Sequence, residues 1–148
     1  VDFTNVYYAN SAVFVAPEGK FSDAAQLKGK SIGVQNGTSH QSYLLEQLKD
    51  QDVKAVPYAS YQNALMDLTS QRVDAVFADT SVAAEWLKSH PGYTMVGKPV
   101  TDAKYFGAGF AIAVNKGNKT LLDSLNQGLA AIKSDGSYQK LYDKYFTK

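Results

Sequence analysis

The sequence contains no cysteine. Disulfides, thiolate metal sites and a cysteine nucleophile are therefore excluded. Charge of one sign is also missing: 15 Lys and Arg face 14 Asp and Glu, for a formal net charge of +1. Lys and Arg nowhere form the basic stripe that a nucleic-acid partner requires, so none is expected. No apolar run approaches the roughly 20 residues of a membrane-spanning helix. The longest, around Phe110 to Val114, reads as a buried strand. The chain opens at Val1 with neither an initiator Met nor a leader pattern, as in a processed or cut protein. Catalytic signatures are absent too. There is no GxSxG elbow and no P-loop, and His40 and His90 lack metal-ligand spacing. Gly107-Ala108-Gly109 is not continued into a dinucleotide fingerprint. No catalytic residue, metal or cofactor is expected.

What is present is an ordinary globular composition, 45% hydrophobic and 20% charged over 148 residues, enough for a sizeable core. Strand-like and helix-like segments alternate. Ser31 to Gln35 is a short apolar run followed by the turn Asn36-Gly37. Thr38 then caps a helix, with Gln41 three residues on to complete a capping box. That helix carries Tyr43, Leu44, Leu45 and Leu48. Val53 to Pro57 is the next strand. Ser60 caps a helix with Tyr61, Ala64, Leu65 and Leu68 on one face. Val73 to Ala78 is a third strand, and Asp79-Thr80 opens a helix bearing Val82, Ala83, Trp86 and Leu87 before Pro91. Strands separated by such helices predict an α/β fold with a mainly parallel sheet. Tyr93 to Val96 and Gly107 to Val114 read as further strands. Leu121, Leu122, Leu125, Leu129 and Ile132 share one helical face ended by Gly136. Ser137 caps a last helix with Tyr138, Leu141, Tyr142, Tyr145 and Phe146 on a face that needs cover.

Ligands of open α/β sheets bind beyond the carboxyl ends of the strands. Two segments hold that position: Gln35 to His40, and Ala78-Asp79-Thr80. The first offers free amides and a helix dipole to an anion, with hydroxyls from Thr38 and Ser39. The second offers a carboxylate to a cation. A free amino acid carries both charges on one carbon. Each residue also has a plainer reading. Thr38, Ser39 and Asp79 can simply be helix caps, and His40 a surface residue of a first turn. His90 complements a helix end, and Trp86 packs on its helix's core face. Tyr7, Tyr8, Tyr105 and Phe106 can line a cleft or belong to the core. Asn36-Gly37-Thr38 and Asn118-Lys119-Thr120 match the glycosylation pattern by chance.

Leu27-Lys28-Gly29-Lys30, Ile32 through Thr38, Asp67-Leu68, Arg72 through Ala75 and Phe77-Ala78-Asp79 together form a specific pattern. Tyr105 through Gly109 and Asp135-Gly136-Ser137-Tyr138 continue it. The pattern covers nearly the whole chain and resembles the cluster-type amino-acid-binding proteins of ABC importers. Gln35 through Gln41, Tyr61 through Ala64 and Glu85-Trp86-Leu87 are most similar to the arginine-binding periplasmic members. The resemblance implies a lobe of the type II periplasmic binding protein fold, a periplasmic location and delivery of a free amino acid of the arginine, lysine or histidine class to a membrane permease. By position it implies that Ser39 meets the ligand's α-group and Asp79 its ammonium, with Gln35, Thr38 and His40 flanking. Gln35 stands where the family commonly has an apolar residue, and His40 where it commonly has Gln.

The same resemblance implies a division of the chain. Residues 1–9 would be a remnant of the first lobe, 10–109 the second, ligand-gripping lobe, and 110–148 a hinge strand with the first lobe's C-terminal helices. The arginine that clasps the ligand carboxylate lies upstream of Val1 in the family, so weak binding by this chain is expected. Uncovered apolar side chains in 110–148 predict a tail that repacks, swaps into a neighbour or stays mobile. The fold also hosts dehydratase-like enzymes and sensory domains, and fold alone does not choose among them.

Overall fold

The computed structural model describes residues 1–146. Its strands are β1 (Asp2–Phe3), β2 (Ala12–Pro17), β3 (Ser31–Gln35), β4 (Lys54–Tyr58), β5 (Ala75–Asp79), β6 (Tyr93–Val100) and β7 (Ala113–Val114). Its α-helices are α1 (Ser39–Gln47), α2 (Tyr61–Thr69), α3 (Thr80–Leu87), α4 (Ala103–Phe106), α5 (Lys119–Ser134) and α6 (Ser137–Phe146). The chain divides into two compact units, residues 11–107 and residues 1–10 with 108–148.

In the first unit five strands lie in the order β4-β3-β5-β2-β6. The α/β class and the flanking helices are those expected, and four of the five strands run in one direction, with β2 inserted against them. β3 pairs in parallel with β4 and β5, while β2 is antiparallel to both β5 and β6. The crossover through α3 carries the chain from β5 over the slot that β2 fills. β2 alone runs against the others, a reversal that no hydrophobic pattern records.

Period-2 alternation splits this sheet between two cores. Ala12, Phe14, Ala75, Phe77, Ile32 and Val34 face α1 and α4 with Leu44 and Phe106. Val13, Val15, Val76 and Ala78 face α2 and α3 with Leu65, Leu68, Ala83 and Leu87. Both faces are covered, which explains why β2, a strand the spacing did not reveal, and β5 are nearly continuous apolar runs. Gly33 suits its place, because a Cβ there would sit 3.1 Å from Tyr58 and 3.3 Å from Ala64.

In the second unit β1 pairs with β7 over two residues, and Tyr8 bridges Phe110. The strand expected over Gly107 to Val114 shrinks to Ala113–Val114. Gly107 and Gly109 take φ of +74° and +128°, which break an extended run. Nor is Phe110 to Val114 a buried strand: Phe110 is 52% and Ile112 36% exposed. α5 and α6 form as the periodicity predicts. Asn118 caps α5 through Leu121 N, which gives it a structural reason to be Asn. The entry to α6 is held by Asp135, whose side chain accepts from Ser137 N at 2.8 Å, so Ser137 begins the helix and does not cap it. The aromatic face of α6 finds some cover within the unit. Phe146 lies 4.9 Å and Tyr142 6.2 Å from Tyr8, ring centre to ring centre.

Candidate functional site

β3 and β5 are parallel neighbours, so their carboxyl ends open on the same edge of the sheet. After β3, Gly37 takes φ +73° and turns the chain into α1. Thr38 spends its hydroxyl on this turn. It donates to Gln35 O at 2.7 Å and accepts from Gln41 N at 3.3 Å. Gln41 reaches back to Gly37 N at 2.9 Å, one residue earlier than an ideal capping box. The amides of Ser39 and His40 are left free by the cap, and the Ser39 side chain is exposed. This is an electropositive helix start facing solvent.

Asp79 closes β5 and stands at the N-cap of α3, yet its side chain makes no capping bond. The carboxylate is 46% exposed. Its backbone is held on the side of β2. Ala12 is its ladder partner, Thr80 N donates to Ser11 O at 3.0 Å, and the buried Ser11 and Thr80 hydroxyls lie 2.6 Å apart.

His40 joins the two segments. Its Nε2 lies 3.8 Å from Asp79 Oδ1, and its side chain is only 8% exposed. The ring sits among Phe106 at 4.9 Å, Phe77 at 5.6 Å and Tyr61 at 5.8 Å. Neither ring nitrogen has a hydrogen-bond partner among the described residues. Burial holds the His40 pKa below its ordinary value, and the Asp79 carboxylate pulls the other way. Burial pushes the Tyr61 phenol up to about 12.

The five residues singled out by sequence thus occupy one edge of one unit. Ser39 is exposed and the Asp79 carboxylate half-exposed, Thr38 is committed to the turn, and His40 is a buried ring, not a surface residue of a first turn. Gln35, half-buried at the end of β3, faces a neighbouring groove of about 740 Å³ between α2 and α3, shared with Tyr61, Ser81 and Trp86. None of the other four lines it. His90 stacks on Trp86 at 3.9 Å, and its Nδ1 lies 2.8 Å from the Trp86 carbonyl, so it serves the end of α3. Sequence reading missed the aromatic enclosure of His40 and the Ser11–Thr80 pair. Each joins residues far apart in the chain, and a lone helix-face Tyr61 or a loop Ser11 carries no cue.

A helix start that can meet an anion thus lies beside a carboxylate that caps nothing, at the carboxyl edge of the parallel strands, where open α/β sheets place their ligands. The family follows from comparison: all 148 residues match the model of bacterial extracellular solute-binding proteins, family 3, and the chain belongs to that family. It is 51% identical over 146 residues to ABC transporter arginine-binding protein 1 of Escherichia coli, covering 99% of this chain and 59% of that one. A Salmonella typhimurium periplasmic binding protein, described for its high arginine specificity, is 40% identical with a TM-score of 0.65, over 99% of this chain and 65% of that one. The second substrate-binding domain of Lactococcus lactis GlnP, in its open conformation, shares the fold at a TM-score of 0.87 and 24% identity, over 99% of this chain and 62% of that one. The chain spans about 59% of the length of the curated relatives it matches.

Proposed function

We propose that this chain is the ligand-gripping part of a periplasmic solute-binding protein that captures a polar or basic L-amino acid, arginine foremost, and passes it to the membrane permease of an ABC importer. One observation carries the reading: the half-exposed, uncapped Asp79 carboxylate lies beside the free N-terminus of α1, which it approaches through His40. A zwitterion fits both charges. Asp79 takes the α-ammonium. The Ser39 hydroxyl and the amides of Ser39 and His40 take the α-carboxylate. Thr38 holds the turn in shape, and Gln35 flanks the ligand side chain. The identity with arginine-binding relatives supports arginine over other members of its class.

In this reading residues 10–109 are the gripping lobe, and 1–9 with 110–148 belong to its partner lobe. Exposed apolar groups such as Leu121, Leu141 and Tyr145 support self-association through 110–148. The role is capture and release, without turnover of the bound amino acid.

Titration of the 148-residue chain with arginine, lysine, histidine and glutamine, followed by calorimetry and amide NMR, tests this. Arginine should bind tightest, and its perturbations should centre on Gly37 to His40 and Asp79 to Ser81. Perturbations elsewhere, or none with any of the four, would reject it.

A further inference from the structure

We infer that His40 is a positioning residue for Asp79: its buried ring leaves the carboxylate open to a ligand's ammonium while neutral, and claims it when protonated. The inference rests on the reading of Asp79 as the ammonium partner and adds an acid-sensitive competitor inside the same site.

The geometry is unusual in two ways. A carboxylate at a helix N-cap ordinarily accepts from the amides of the first turn, and Asp79 does not. Nor does it have a hydrogen bond from His40, since 3.8 Å exceeds the reach of a good one. The ring that approaches it is enclosed by three aromatic side chains, and neither of its nitrogens finds a partner among the described residues. A neutral imidazole tolerates that enclosure at modest cost. An imidazolium does not, unless a counter-charge is within reach. The Asp79 carboxylate is in reach, and a side-chain adjustment of under about 1 Å brings Nε2–H to Oδ1. The bond so formed occupies the oxygen that an ammonium ligand needs.

Among the described residues, Asp79 is the one charge found acting on the ring. From α2 it meets the Tyr61 phenol, pushed up to about 12 by burial and so neutral. On α1, Tyr43 is likewise raised by burial. α4 carries Tyr105 and Lys104, and Lys104 pairs with Glu46 of α1 at 3.3 Å. Asp102, ahead of α4, accepts from Lys104 N at 3.0 Å. On α3, Glu85 pairs with Lys88 at 2.9 Å. β5 contributes Phe77 and, at its end, Asp79. Burial, the larger influence, disfavours the protonated ring, and Asp79 favours it, so removing the carboxylate leaves burial unopposed.

The test begins without any ligand. The ring resonances of His40 and His90 are followed through a pH titration of the 148-residue chain and of its Asp79→Asn variant. Loss of the carboxylate should lower the His40 midpoint by roughly one unit and leave His90, which stacks on Trp86, where it was. An unmoved or raised His40 midpoint would overturn the inference. In a second arm, arginine is titrated near about pH 8 and about pH 5.5, either side of the ordinary imidazole range. The unaltered chain should lose roughly threefold or more in affinity in acid, about 0.65 kcal/mol or more, and His40→Gln should lose less than half of that. Equal losses in both chains would also overturn it. No arginine binding at either pH would sink the function proposed above, and the ligand-free shift of His40 would still decide this inference.

Discussion

Residues 11–107 and residues 1–10 with 108–146 solve the same problem with unequal means. The first unit buries side chains on both faces of a five-stranded sheet. The second sets two amphipathic helices beside a pair of two-residue strands, and among its described residues only Thr4 and Val114 are buried. α5 has a cleaner apolar stripe than α1, yet no residue of α5 is buried, whereas α1 plants Leu44 and His40 in the core. A stripe records what a helix is able to bury. How much it does bury depends on the surface offered to it. Most of the stability should therefore reside in the first unit, with α5 and α6 opening at low cost.

The largest effect expected is at Phe77, fully buried in β5 and in ring contact with Phe14, Tyr43, His40 and Phe106. Phe77→Ala should cost roughly 3–5 kcal/mol by chemical denaturation. Leu129→Ala in α5, only half-buried, should cost under about 1 kcal/mol. Similar costs at the two positions would abolish the contrast. Gly109→Ala probes the second unit by itself. Gly109 has φ +128°, and an added Cβ would lie 2.3 Å from Tyr8 O. A loss of roughly 2–3 kcal/mol is expected, and hydrogen exchange should accelerate in residues 1–10 and 108–146 while β2 to β6 stay protected. Acceleration throughout would mean the two units unfold as one.

The contrast also governs what could be read from sequence. In the first unit βαβ spacing located β3, β4, β5, α1, α2 and α3 to within about two residues. Caps at Thr38 and Ser60 are formed as expected, by Gln41 N at 3.3 Å and Asn63 N at 3.2 Å. The turn and the strand end that make the candidate site were legible for the same reason, since strand-to-helix junctions carry strong local signals. The antiparallel insertion of β2 was not, because strand direction depends on partners remote in sequence. The burial of His40 was hidden too: it needs Phe77 and Phe106, 37 and 66 positions further on. In the second unit periodicity gave α5 and α6 but overextended β7, where glycine dihedrals override an apolar run.

Two intermediate effects separate structural from ligand roles within the gripping edge. Asp79→Asn should weaken arginine binding roughly ten- to a hundredfold, since a charge-assisted contact is worth about 1.5–3 kcal/mol. It should barely alter stability, because the carboxylate caps nothing. Thr38→Ala should do the reverse first. The lost cap costs about 1 kcal/mol of stability, and affinity falls only as far as the turn loosens. Calorimetry and thermal melts on the two variants distinguish these patterns. Identical changes in both would leave no basis for assigning Asp79 to the ligand and Thr38 to the fold.

The smallest effect is a pH slope, and its sign follows from His40. Folding holds its pKa below the ordinary value of 6.5, mainly through burial. Above 6.5 both folded and unfolded chains carry a neutral ring, and this residue adds no pH dependence. Below 6.5 the unfolded chain binds the proton first, so stability falls with pH until the folded state protonates as well. Asp79 opposes burial without cancelling it, so it narrows the gap between the two states and lessens the fall. Asp79→Asn should deepen it, and His40→Gln should remove its share. Urea midpoints at intervals from about pH 8 to about pH 5 measure the slope. A slope that is unchanged in Asp79→Asn would mean that the carboxylate, although 3.8 Å away, is screened by the water it faces and does not act on the ring.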